Sequence, residues 1–445
     1  MADYPVRPAP VIVRNRAVAS SVDTSNTHLA AINAELDAQT AQLTAIEGYA
    51  ASTVPEFDMF RRLRVSHPQT VFDSKQLKDN QPLFWDDAQT SGSGTSSTYN
   101  TNQASTTIAV GNLTAGTRVR QTFRRMNYQP GKSQLILLTG VLGAAATGIT
   151  QRIGQFDSNN GLFFENKSTG IGLVRRTYTS GSAVDNRVAK ASWNGDKLDG
   201  TGASGVTIDY SKTQIFWIAY EWLGVGSVSF GVVHQGSFIT CHTMHHNNSL
   251  DTVYMSSPNL PIRYEIGNDG TGAAASLTHI CCTVMSEGGI EELGVQRGIT
   301  RGSTVMTTNN DANIYGVIAL RIQSSFFSAH IYISNISLVC TSTSAYNWYL
   351  ILNPTPSAGP AFTPITNSAI EANVGMTNTT LTGGTVIMCG TSLQTNDGGT
   401  NIMAPQDISL GSSIAGTADV LYLAVQRVTG TSESFYASLN YREII

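Results

Sequence analysis

The sequence predicts a mainly β protein: a β-sandwich or jelly-roll body preceded by an N-terminal extended arm and one coiled-coil-like helix. Three observations carry that prediction. From Phe57 onward, uncharged polar and β-branched residues are broken up by glycine, the pattern of many short strands and tight turns. Apolar residues spaced alternately by three and four form one ladder, near the N-terminus. Pro5, Pro8 and Pro10 stand ahead of that ladder, where they favour extended chain over helix.

The arm spans residues 1–19. It places Arg7, Arg14 and Arg16 around the apolar triplet Val11-Ile12-Val13. A segment with no core of its own is either disordered or strapped onto another protein. Val11, Ile12, Val13, Arg14 and Arg16 are therefore the candidate anchoring residues.

Residues 20–47 are the expected helix. Val22, Leu29, Leu36 and Leu43 fall at heptad position a, and Ser25, Ile32, Gln39 and Ile46 at d. Leu at a with Ile at d shifts parallel coiled coils away from dimers. Ala30, Ala31, Asn33, Ala34 and Asp37 leave too narrow an apolar stripe for a large core. Self-association through Val22, Leu29, Ile32, Leu36, Gln39, Leu43 and Ile46, as a homotrimer, is the expectation. Asp23 or Ser25 suits the helix start, and Gly48 its end. Residues 48–56 read as a linker.

The rest reads as a β-sandwich body over 57–300 and a second β domain over 301–445, divided in the turn-rich segment Gly294 to Thr308. Strands are expected about every ten residues. They include Arg118 to Phe123, Gln134 to Leu142, Ile171 to Tyr178, Gln214 to Trp222, Val225 to Val233, Phe238 to Met244, Ile262 to Ile266 and His279 to Met285. Later ones include Ile314 to Ile322, Ile331 to Cys340, Val420 to Val425 and Phe435 to Leu439. Thr90 to Gln103 (TSGSGTSSTYNTNQ) reads as a low-complexity loop. No repeat of solenoid or propeller length occurs.

Composition narrows the function classes. The chain has 445 residues, 13% of them charged, with a net charge of -4. No basic surplus points to nucleic acid. Sparse charge also suits a permanent assembly, whose surface is covered. The most apolar span, Gln214 to Val233, contains Glu221, Gly224, Gly226 and Gly231, so it reads as two strands and a turn; no membrane partner is expected. Asp3 and Pro5 interrupt any signal-peptide apolar region. Cys241, Cys281, Cys282, Cys340 and Cys389 are odd in number and lack framework spacing, so they read as reduced residues of a chain made in a cytoplasm.

Searches for chemistry return little. Cys241, His242, His245 and His246, with Cys281 and Cys282 downstream, are the densest metal-like cluster. Strand alternation puts Cys241 and His245 on one face and His242 and His246 on the other, too few per face for zinc. No metal, cofactor or catalytic residue is expected. Gly131-Lys132-Ser133 lacks the leading glycine of a phosphate-binding loop, and neither G-x-S-x-G nor H-E-x-x-H occurs. Asp196, Asp199, Glu221 and Glu265 are the carboxylates weighed for a glycosidase pair; strand glutamates beside aromatics are more often structural. The segment Ser192 to Gly205 (SWNGDKLDGTGASG) reads as an Ω-type loop. Trp193, Asp196 and Asp199, with Glu221 and Trp222, have the composition of a sugar platform.

QRIGQFDSNNGLFFE (151–165), SWNGDKLDGTGASG (192–205), EWLGVGSVSFG (221–231), LPIRYEI (260–266) and SEGG (286–289) together resemble structural proteins of tailed bacteriophages. The resemblance covers roughly residues 57 to 300. It implies a virion component, oligomeric and attached through its N-terminal segment to other proteins of capsid or tail. The expectation is a homotrimeric fibre, spike or decoration, located in the virion and made in the host cytoplasm. The alternative is an adhesin whose β domains bind a host surface glycan; behind it stands a polysaccharide depolymerase.

Overall fold

Residues 25–42 form a helix, α1, with Leu29, Ile32 and Leu36 at 59%, 61% and 59% exposure. In this computed structural model the described residues are 25–42, 58–59, 61, 68–291, 293–342, 344–393, 400–403 and 410–445. The expected arm (Val11, Ile12, Val13, Arg14, Arg16), the helix ends (Val22, Leu43, Ile46) and the linker lie outside them. The chain divides into two units, Met1–Val54 and Pro55–Ile445. No helix among the described residues is long and apolar enough to cross a membrane.

The second unit is built of antiparallel strands. In its first part these are β1 (Gln69–Lys75), β2 (Trp85–Gly92), β3 (Thr95–Asn100), β4 (Ser105–Val110), β5 (Gly116–Thr122), β6 (Ser133–Val141), β7 (Ile149–Phe156) and β8 (Gly161–Lys167). Then come β9 (Gly170–Thr177), β10 (Val184–Ala189), β11 (Gln214–Tyr220), β12 (Ser227–His234), β13 (Ser237–His245), β14 (Ile262–Asn268) and β15 (Ala275–Glu287). They make two sheets. An eight-stranded sheet runs β13-β12-β11-β6-β15-β4-β3, with β1 also paired to β15. A seven-stranded sheet runs β10-β9-β8-β7-β14-β5-β2.

Alternation along each strand explains the packing. On β8, Leu162 and Phe164 point into the core between the sheets, while Phe163 and Glu165 point to the outer face. Ile136 and Leu138 of β6, Phe216 and Ile218 of β11, and Ile262, Tyr264 and Ile266 of β14 fill the same core. This is the sandwich that the glycine-punctuated, β-branched composition predicts.

A second core follows. It lies between a sheet ordered β16 (Val295–Thr300), β28 (Ser434–Ile444), β19 (His330–Cys340), β26 (Thr400–Met403), with β17 (Met306–Thr307) also on β28, and one ordered β22 (Thr363–Pro364), β23 (Ile370–Asn373), β18 (Ile314–Ile322), β27 (Val420–Arg427), β20 (Ala345–Leu352), β25 (Thr385–Leu393); β21 (Thr355–Pro356) and β24 (Leu381–Thr382) pair separately. Ile318, Leu320, Leu421 and Leu423 face Ile331, Ile333, Leu439 and Tyr441 within it. The two parts touch: Ile414 N–H donates to Asp86 Oδ2 at 2.7 Å, and Asn259 Nδ2 to Ser328 O at 3.0 Å.

One expectation is corrected. Thr90 to Gln103 is not a loop: β2 ends at Gly92 and β3 occupies Thr95–Asn100. The chain crosses between the two sheets at Gly92 and Gly94, both at positive φ. β3 is an edge strand of Ser and Thr, so it carries no apolar alternation for a sequence reading to detect.

Candidate functional site

The five residues expected to form a sugar platform do not come together. Trp193 is 4% exposed, part of the sandwich core, and its indole N–H donates to Val188 O at 3.3 Å. It is a core residue, which corrects the platform expectation. Asp196 is buried as well, because its loop folds back on β13 through Gly195 N–H to Cys241 O and Asp196 N–H to Thr240 O. Its carboxylate accepts from Leu198 N–H and Ser204 N–H, both at 2.8 Å. Burial opposes its ionisation, yet these hydrogen bonds outweigh burial and hold its pKa below the usual carboxylate value. Asp199 accepts from the Thr201 hydroxyl and N–H, which lower its pKa in the same way. Both aspartates tie up an Ω-type loop.

Glu221 and Trp222 lie elsewhere. Glu221 Oε1 accepts from Ser227 N–H at 3.1 Å, and Trp222 is half-buried with its indole N–H on Met255 O. Asp196 sits beside Thr240, whereas Ser227 pairs with His245, five residues further along β13. At about 3.3 Å per strand residue that separation is roughly 16 Å.

The histidine cluster departs from its expected alternation. The ladder between β12 and β13 pairs Phe230 with His242 and then Gly231 with Thr240, so Cys241 is the extra residue of a bulge. The bulge turns Cys241 into the core, while His245 stays exposed against Ser227. Cys241 and His245 therefore do not share a face, a correction whose cause is that one inserted residue. Burial pushes the Cys241 thiol far up. His246 stacks on Tyr254 at 4.2 Å and donates through Nδ1 to Gly226 O. Among the described residues no three His, Cys, Asp or Glu side chains converge on one point.

The concentrated chemistry lies on the outer face of the seven-stranded sheet. Glu165, Arg152 and Glu265 stand directly opposite one another on β8, β7 and β14. Arg152 Nε donates to Glu165 Oε2 at 3.0 Å and Nη1 to Glu265 Oε1 at 2.6 Å. Glu165 also pairs with Arg187 of β10 at 2.9 Å and with Lys167 at 3.1 Å. Glu265 accepts from Arg263 Nε at 2.9 Å. The carboxylate side chains are 4% and 9% exposed, against 22% for Arg152 and 38% for Lys167. The anions form the floor, and Arg152 and Lys167 are the cations that reach furthest outward.

Apolar packing holds this layer. Phe156, Phe163 and Val174 make a fully buried cluster on the outer face. Arg152 and Arg176 lie over the Phe163 ring at 5.6 and 5.2 Å, and Arg263 lies over Phe156 at 5.3 Å. Burial opposes the ionisation of Glu265, but Arg263 and Arg152 outweigh it and keep the carboxyl below its usual pKa. Two strand spacings, about 10 Å, separate the backbones of Glu165 and Glu265, and one guanidinium bridges their carboxylates. A retaining glycosidase needs its carboxyls about 5 Å apart and one of them protonated. In this row each carboxylate is engaged by two arginines, Glu165 by Arg152 and Arg187 and Glu265 by Arg152 and Arg263.

Only Glu265 of this row was legible as a candidate from sequence. The signal for the rest is a charged residue in the outward position of an otherwise apolar strand: Arg152 in ITQRIGQF, Glu165 in GLFFENK and Arg263 in IRYEIGN.

No protein-family model matches the chain, and no curated protein sequence matches it. Similar solved structures include the Emp47p carbohydrate recognition domain, at 11% identity and TM-score 0.30, covering 49% of this chain and 96% of that one. A glycoside hydrolase family protein from Mycobacterium thermorestibile is 12% identical with TM-score 0.34, covering 48% and 99%. The Bacillus licheniformis β-glucanase is 10% identical with TM-score 0.30, covering 48% and 98%. At such scores these likenesses say nothing of activity or ligand. The class defined by the chain's own sheets is the antiparallel β-sandwich.

Proposed function

We propose that the protein is a homo-oligomeric structural component of a virion, a fibre, spike or decoration that assembles through its N-terminal helix and docks on capsid or tail through its arm. The observation that carries this reading is the exposure of Leu29, Ile32 and Leu36 on one seam of α1. Three large apolar side chains at heptad spacing, more than half exposed, favour burial against copies of the same helix. Leu at a and Ile at d favour three strands or more. The phage-like segments between residues 151 and 289 support the virion setting.

The β units act in this proposal without catalysis. Supporting that are the two best-placed carboxylates, Glu165 and Glu265, which are both engaged by arginine. A second reading, a carbohydrate-binding adhesin, is favoured by the cation-topped face that overlies them.

Mass measurement of the full chain in solution tests the assembly. The expected result is a trimer at micromolar concentration, converted to monomer by Leu36→Asp with Leu43→Asp. Burying those charges at a seam costs on the order of several kcal/mol per trimer. A wild-type monomer removes the reading. A mutant that stays trimeric moves the assembly contact from the helix to the β units.

A further inference from the structure

We propose that the outer face of the seven-stranded sheet binds an acidic polysaccharide, held by Arg152, Lys167, Arg187 and Arg263. This deepens the adhesin reading given above and is independent of how the chain assembles.

The argument begins with an imbalance. In this connected cluster four cations, Arg152, Lys167, Arg187 and Arg263, share two carboxylates, Glu165 and Glu265. The chain as a whole is negative, at -4. Part of the surplus is placed outward. Both carboxylates are nearly buried, whereas Lys167 and Arg152 keep 38% and 22% of their side-chain surface and Arg187 and Arg263 keep 15% and 11%. An approaching anion meets guanidinium and ammonium groups first.

The cations are held in place before any ligand arrives. The guanidinium of Arg152 lies over Phe163 and that of Arg263 over Phe156 while each bonds a carboxylate below. Nε and Nη2 of Arg152 face Glu165 and its Nη1 faces Glu265, while Nε and Nη2 of Arg263 face Glu265 and its Nη1 faces Gln121; since a guanidinium carries five N–H donors, donors remain on the Nη nitrogens of each for a carboxylate or sulfate on a sugar. Ordering the arginines beforehand removes entropy that binding would otherwise lose.

A second feature continues the row. Arg187 Nη2 donates to Gly170 O at 2.6 Å. Gly170 also lines a cavity of about 330 Å³, together with Asn166, Lys190, Asp209 and Tyr210. Lys190 Nζ reaches Leu198 O at 3.3 Å, and no carboxylate among the described residues lies within 4 Å of it. The cavity is of a size that suits a small ligand, and its wall carries both Lys190 and the carboxylate of Asp209. The cationic row thus meets a recess able to seat a sugar unit at the end of a chain.

Sugar is favoured over nucleic acid by the same geometry. Phe156 and Phe163 are fully buried, so they offer no face on which a base could stack. The row is four cations long, short of the extended run on which a phosphate backbone relies.

Titration calorimetry of the full chain with polygalacturonate at low salt tests the proposal, with neutral dextran, dextran sulfate, polyglutamate and DNA alongside. The expected result is binding to polygalacturonate or dextran sulfate that weakens as salt rises, and none to neutral dextran. The sulfated arm distinguishes sulfate from carboxylate as the anion. Lys167→Gln and Lys190→Gln should each weaken binding several-fold at unchanged melting temperature, and Lys167→Arg should restore it. Lack of binding to both acidic polymers, equal binding to dextran, or tighter binding to DNA or polyglutamate overturns the proposal. So does unchanged affinity in both glutamine variants. Should either variant fail to fold, the wild-type salt dependence decides, a flat response being the overturning result. A monomeric chain that still binds removes the assembly reading alone; a trimer that does not bind removes this one alone.

Discussion

Gly172 lies beneath the guanidinium of Arg187: a Cβ built at residue 172 would stand 2.5 Å from Arg187 Cζ. Gly172 pairs with Glu165 on one side and Ala189 on the other. The missing side chain is the slot through which Arg187 crosses β9 to reach Glu165. Gly172→Ala should be relieved by the arginine swinging away, since the clash falls on the end of a flexible side chain. The expected loss is that of the ion pair, about 1 kcal/mol, read as a shift in urea midpoint. A loss of several kcal/mol would show that the arginine cannot move.

Gly231 is the contrasting case. A Cβ there would stand 2.0 Å from Ile239 O and 2.5 Å from the Trp217 ring. Backbone oxygen in a paired strand cannot give way. Gly231→Ala should cost about 3 kcal/mol or more, measured by the same denaturation, with loss of soluble protein the extreme outcome.

Trp193→Ala should behave as a core truncation. The side chain is buried among the sandwich residues, so about 3–5 kcal/mol of stability should go, with a lower melting temperature. A variant that melts like wild type would contradict the burial.

Acid should weaken the fold through buried histidines. Burial, with Arg124 and Arg125 nearby, lowers the pKa of His330 to about 3. Burial lowers that of His246 to about 4, against the pull of Gly226 O and with Arg175 and His245 adding to the fall. Burial and Arg120 also depress His279. These histidines stay neutral in the fold while the unfolded chain takes up protons. Stability is therefore full above about pH 6.5 and falls as pH drops, by up to about 1.4 kcal/mol per unit for each histidine. The window closes near pH 4 for His246 and near pH 3 for His330. Neither ring nitrogen of His330 has a hydrogen-bond partner. His330→Phe should thus gain up to about 1 kcal/mol at pH 7 and flatten the acid slope by one proton. Urea midpoints at pH 7 and pH 4.5 check both; an unchanged slope would mean that His330 does not stay neutral.

Strand positions were largely readable. Gln214 to Trp222 was expected and β11 spans Gln214–Tyr220; Ile314 to Ile322 was expected and is β18. Both are apolar runs with β-branched residues, a signal that resides in the strand itself. β7 and β8 were missed as strands because arginine, glutamine, glutamate and asparagine interrupt them. Those polar residues belong to the outer face, so the interruption that hid the strands is the feature that makes the candidate site.

What the sequence determined by itself was the β class, most strand positions and the heptad spacing on α1, because each depends on periods of two or three to four residues along one segment. What the tertiary structure alone decided was who meets whom. Arg152 reaches a glutamate 113 residues away, Trp193 turns inward, and one bulged residue separates Cys241 from His245. Strand alternation states that a side chain faces one side or the other. It does not state which side is core, which strand lies adjacent, or where a single extra residue reverses the count. Those follow from register across strands far apart in the chain, which is set by packing both faces of the sheets together.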